Sequence, residues 1–170
     1  MTRRAAALGA TVLLAAGCGA SHARAPAHPS ASRTTERLAT GATRRALAAR
    51  YLVIARAGNR RLEADLDPLE GRDRNVLARA RADLRDAAAT ERLFDRRLLR
   101  IPFPAESERV ARALARVNEL RARLTTAAAA STTLHALRTY EPLLDAANAP
   151  VERSVTTLRR QLGLRPPSAS

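Results

Sequence analysis

Lysine is absent from this chain: all 30 basic residues are arginine. Tryptophan is also absent, methionine occurs only as Met1, and the aromatics are Tyr51, Tyr140, Phe94 and Phe103. Cys18 is the single cysteine, which excludes an internal disulfide, a multi-cysteine zinc site and haem attachment through Cys-x-x-Cys-His. So few aromatic rings do not make the stacking platform that single-stranded nucleic acid requires. The only extended apolar run, residues 5–16, is too short for the roughly 20 residues of a bilayer-spanning helix. There is no Gly-x-Ser-x-Gly elbow, phosphate-cradling glycine loop or His-Glu-x-x-His. The Glu-x-x-His pairs that hold two irons in a helical bundle are missing as well. These absences point to a non-enzymatic protein without a metal or cofactor.

What is present begins with an export signal. Arg3 and Arg4 give positive charge, residues 5–16 give an alanine-rich apolar run, and small residues follow. The arginine pair also suits twin-arginine export, although Ala5-Ala6-Ala7 replaces the usual apolar residues after it.

The segment Leu14-Ala15-Ala16-Gly17-Cys18 resembles the lipobox of bacterial lipoproteins, with cleavage between Gly17 and Cys18. Here Ala15 occupies the place usually held by leucine, and Leu14 lies one position further out. The alternative, an ordinary secretory signal with a chance cysteine, leaves a lone exported thiol with nothing to pair with. What the resemblance implies is acyl chains, palmitate among them, on Cys18 and attachment to the extracytoplasmic face of the cell membrane. Each buried methylene contributes about 0.8 kcal/mol, and two chains suffice for stable anchoring.

Removal of residues 1–17 leaves 153 residues and lowers the formal net charge from +14 to +12. A basic surface beside an anionic membrane gains roughly 1 kcal/mol per nearby arginine, so anionic lipids and wall polymers are the expected neighbours. Export removes nucleic acid from the surroundings, which sets aside the other usual partner of a basic chain.

Residues 18–33 are small and polar and are broken by Pro26 and Pro29, a composition expected to stay unfolded as a tether. Its typical reach is about 20 Å and its extended limit about 50 Å. From about Thr35 the apolar residues recur at helical steps, and residues 34–165 are expected to form an all-α, up-and-down bundle of about four helices. A disordered tail, residues 166–170, follows.

Helix A carries Leu47, Tyr51, Ile54, Gly58, Leu62 and Leu66 and is expected to end near Asp67-Pro68, with Gly71 in the turn. Helix B, capped by Asp73, carries Leu77, Ala80, Leu84, Ala87, Phe94, Leu98 and Ile101. Glu91 interrupts that stripe at a core position, which is expected to place it at the edge of the seam or to mark a shift of register. Pro102-Phe103-Pro104 stops helix B, and Pro104, Glu106 and Glu108 suit the first turn of helix C. Helix C presents Val110, Leu114, Val117, Leu120 and Leu124. A turn and cap are placed at Ser131. Helix D carries Leu134, Leu137, Leu144, Val151, Val155, Leu158 and Leu162 and closes at Gly163, with Pro142 and Pro150 kinking or splitting it. Glu70/Arg74, Arg79/Asp83, Glu108/Arg112 and Glu119/Arg123 are read as exposed i,i+4 pairs.

His135 is the one histidine of the expected bundle. With Tyr140 and Glu141 nearby it forms a candidate ligand or proton site, against a plainer reading as a partly exposed structural histidine. His22 and His28 lie in the expected tether, too few to hold a metal. Asn59 and Asn118 read as surface amides more readily than as hydrogen-bonding groups inside the bundle.

The lipobox, the alanine-arginine bundle and the closing Leu158-Arg159-Arg160-Gln161-Leu162-Gly163-Leu164-Arg165-Pro166-Pro167 together resemble uncharacterised small actinobacterial helical-bundle lipoproteins. The function expected is that of a membrane-anchored interaction or structural protein of the cell envelope. Its expected partners are the membrane, anionic lipids or wall polymers, or an envelope protein. The alternative is a bundle that holds a small apolar molecule between its helices.

Overall fold

Alanine and leucine favour helix, and Gly71, Pro102, Pro104, Pro142 and Gly163 stand at helix ends. The computed structural model describes residues 31–166, with side chains from residue 41 onward, and every regular element among them is an α-helix. These are α1 (Ala31–Glu70), α2 (Leu77–Leu98), α3 (Ala105–Ala129), the short α4 (Leu134–Arg138) and α5 (Glu141–Gln161). The expected all-α bundle is thus observed. Helix α1 starts a few residues earlier than expected, so residues 31–33 are helical, and the rest of the expected tether lies outside the described residues.

Successive long helices run antiparallel: α1 packs on α2, α2 on α3, and α3 on α5. One end of the bundle therefore gathers the C-terminus of α2, the N-terminus of α3 and the C-terminus of α5. Here Arg44 of α1 lies against Gly163, and Gln161 donates to Glu106 at 3.3 Å. A large apolar cluster fills this end, built from Leu47 and Tyr51 of α1, Leu98 of α2, Leu114 of α3, and Leu158 and Leu162. A smaller cluster of Ala80, Leu84, Ala128, Ala129 and Leu137 fills the other end.

The prolines act according to their place in a turn. Pro68 lies inside α1 rather than after it; it sits in the last turn, which extends to Glu70 and is closed by the Gly71 amide on the Asp67 and Pro68 carbonyls, both at 3.2 Å. Pro142 splits the expected helix D. It occupies the first turn of α5, where its missing N–H has no partner to lose. Pro150 does not break α5, whose Val151, Val155, Leu158 and Leu162 remain packed on the large cluster.

Two expected caps are corrected. Asp73 does not cap α2: the N-cap is Val76, without a side-chain bond, and the buried Asp73 carboxylate instead pairs with Arg72 at 3.4 Å and Arg79 at 3.2 Å. Arg79 therefore bridges to Asp73 instead of Asp83. Ser131 is buried in the turn, and the cap of α4 is Thr133, whose hydroxyl accepts the Ala136 amide at 3.1 Å. Helix α5 ends as expected. Gly163 adopts φ 70°, its amide bonds the Arg160 carbonyl at 3.0 Å, and Leu164 reaches back to the Arg159 carbonyl at 2.8 Å.

The buried face of α3 also departs from the expected stripe. Leu120 is 59% exposed, while Ala111, Leu114, Ala115, Asn118, Ala122 and Thr125 face inward. Small residues there let α2 and α3 approach closely, with Ala80 packed in one cluster with Ala128 and Ala129.

Candidate functional site

A polar layer is buried between the two apolar clusters, in the seam of α2 and α3. Glu91, Asp95 and Asn118 are 2%, 7% and 5% exposed. Asn118 donates through Nδ2 to Asp95 Oδ1 at 3.1 Å and to the Glu91 carbonyl at 3.4 Å. Arg121 forms a charge-assisted hydrogen bond and ion pair with Glu91 Oε1. The second Glu91 oxygen and Arg121 Nε are buried without a hydrogen-bond partner. At the edge of the layer, the Thr90 hydroxyl donates to Asp65 at 2.7 Å, and Arg92 reaches Glu119 at 3.1 Å.

Burial governs the electrostatics of this layer. Asp95 is pushed up to about 7, first by desolvation and then by the neighbouring Glu91 and Glu119, against the favourable bond from Asn118. Desolvation also raises Glu91, and Arg121 opposes it. Glu119, near the surface, is lowered by its bond from Arg123 and by Arg92. Elsewhere burial raises the Tyr51 hydroxyl despite the adjacent Arg159. Asp83 is raised by desolvation and by the negative charge of Asp73.

Asp95 can therefore exchange a proton near neutral pH. Its carboxyl nevertheless faces Asn118 and lines neither of two clefts that lie on other faces of the bundle. The layer reads as a polar lock on the α2–α3 register. Such locks favour one pairing over shifted ones at some expense in stability.

The larger of the two clefts, about 620 Å³, opens at the end of the bundle opposite Gly163, among the C-terminus of α1, α4 and the start of α5. Leu69, Leu84, Leu134, Leu137 and Leu144 give it an apolar floor, and Glu70, Arg74, Arg138, Glu141 and Asp145 bring both signs of charge. A shallower groove of about 420 Å³ runs between α3 and α5, along Val110, Val117 and Pro150. Among the described residues, no group of three or more His, Cys, Asp or Glu is placed to hold a metal, and no helix is long and apolar enough to cross a membrane.

The residues singled out from sequence fare differently. Gly17 and Cys18 lie outside the described residues, as do His22 and His28. His135 is exposed on α4, and Tyr140 is half-buried against the smaller apolar cluster. Leu134, Leu137 and Arg138 of α4 line the cleft; His135 does not. Asn59 is half-buried on α1, whereas Asn118 points inward and joins the polar layer, contrary to the surface reading. Asp95 carried no signal in sequence. Glu91 did, as the break in an otherwise apolar stripe. No protein-family model matches the chain, and comparison with curated proteins and with solved structures gives no match.

Proposed function

We propose that this chain is a lipid-anchored, extracytoplasmic protein of the cell envelope whose helical bundle serves as a non-enzymatic interaction module. The observation that carries the reading is the lipobox-like Leu14-Ala15-Ala16-Gly17-Cys18 after a charged and apolar leader, set ahead of an all-α domain. The test is native mass spectrometry of the protein extracted from its own membranes. A mass matching residues 18–170 plus acyl chains supports the anchor; an unlipidated mass overturns it.

One observation favours a second reading, a carrier or sensor of a small apolar molecule. The 620 Å³ cleft between α1 and α5 falls within the roughly 300–1,000 Å³ of ordinary ligand pockets and has a leucine floor. The same spectrum separates the two readings: a retained small molecule favours the carrier, and the bare lipidated mass favours the interaction module.

A further inference from the structure

Positive charge is unevenly distributed along the bundle. The end that carries the α2–α3 connection and the C-terminus of α5 comprises residues 41–54, 95–114 and 155–166. It holds eleven arginines against three acids, a formal charge of +8. The remainder, residues 55–94 and 115–154, holds fourteen arginines against twelve acids, a formal charge of +2. All but one of the eleven side chains are exposed; the exception, Arg159, is half-buried beside Tyr51. One of the three acids, Asp95, is buried, and Glu108 is engaged by Arg112 at 2.6 Å. Leu99, 51% exposed, stands among Arg96, Arg97 and Arg100 at the tip.

This basic end is also the one nearest the proposed anchor, because α1 enters the bundle there. Helix α1 extends from Ala31 to its contact at Arg44 over about 20 Å at 1.5 Å per residue. Twelve residues separate Cys18 from Ala31, and the thirteen steps between them reach at most about 45 Å. The basic end can therefore be brought down onto the surface that holds the lipid. A packed helix of 21 residues, α5, separates the two ends by about 30 Å, several times the roughly 8 Å screening length at physiological salt. With one end in contact, the other end lies beyond reach of the surface charge.

We infer that the arginine-rich end of the bundle is a docking face for anionic phospholipid headgroups of the membrane that holds the anchor, an inference resting on the lipid-anchor reading. Arginine forks match phosphate geometry, and an exposed leucine among them suits the boundary between headgroups and acyl chains. The lipid sets the location, and this face sets the orientation, leaving the cleft at the opposite end turned away from the membrane.

The test uses residues 18–170 with Cys18→Ser, which keeps every described residue and removes the lipid, so that its outcome is independent of whether the native chain is acylated. Sedimentation with vesicles of phosphatidylglycerol and phosphatidylcholine is compared with phosphatidylcholine alone, at low and high salt. Binding is expected only to the anionic vesicles and is expected to fall with salt. Arg96→Gln/Arg97→Gln/Arg100→Gln is expected to weaken it about 10- to 100-fold, given a roughly fivefold gain per arginine near such a surface. Arg60→Gln/Arg74→Gln/Arg85→Gln, on exposed positions of the remainder, is expected to change it less than threefold, with circular dichroism showing both variants fully helical. No binding to anionic vesicles would overturn the inference, as would equal losses in the two triple variants. A preference for a soluble glycerol-phosphate polymer over vesicles of equal charge would overturn it as well, in favour of a wall polymer.

Discussion

Asp95 gives the structure its most direct pH signature. Its carboxyl is held at about 7, against an ordinary 3.8, by burial between α2 and α3. Between pH 4 and 7 the folded chain keeps a proton on Asp95 that the unfolded chain has released, so each rise in pH within this window weakens the fold. The displacement is about three units, or about 4 kcal/mol at 1.36 kcal/mol per unit, reached in full above pH 7. Asp95→Asn keeps the shape and an acceptor for Asn118 but cannot ionise. Its stability relative to the parent should therefore improve by about 3 kcal/mol between pH 5 and pH 8. Urea denaturation followed by far-ultraviolet circular dichroism reads this directly. Glu91, also raised by burial, adds a slope of its own, and because its charge is one of those that raise Asp95, the difference between the two proteins includes the coupling of the pair. Parallel stability profiles for parent and variant across this range would refute the assignment of a buried, proton-holding Asp95.

Three further outcomes follow from the packing. Arg121→Met leaves the buried Glu91 carboxylate uncompensated and should destabilise the fold by about 3 kcal/mol at pH 8 and by less at pH 5, where Glu91 takes up a proton more readily. The double variant Glu91→Met/Arg121→Met should recover most of that loss in the same denaturation assay. Gly58→Ala should raise stability by about 0.5–1 kcal/mol: the position is inside α1, and the added methyl would meet Phe94 at an ordinary 3.6 Å. Gly163→Ala, forced to φ 70° at the end of α5, should lower stability by about 1–2 kcal/mol, and a rise in its melting temperature would contradict the observed helix stop.

Local chemistry made part of this protein legible from the chain itself. Apolar residues at steps of three and four marked the helices, Pro102 and Pro104 marked the α2–α3 connection, and Gly163 marked the end of α5. These signals act within a turn or two of their own position, so a linear sequence carries them in full. Glu91 also stood out, because a carboxylate in an apolar stripe conflicts with its neighbours wherever the chain folds.

Tertiary structure alone decided the rest. Pro142 and Pro150 carry the same intrinsic penalty, yet only Pro142 divides the chain, because Val151 and Val155 hold the turn after Pro150 against the large cluster. Leu120 has the spacing of a core residue but faces solvent, since the close approach of α2 turns the alanine face of α3 inward. That same rotation buries Asn118 and brings it to Asp95, a partner 23 residues away. Arg79 leaves its i,i+4 neighbour for the Asp73 carboxylate, 3.2 Å away, which the turn before α2 buries beside it. Periodicity states that a helix has faces; which face is buried depends on the helices that pack against it, and that information is distributed over the whole fold.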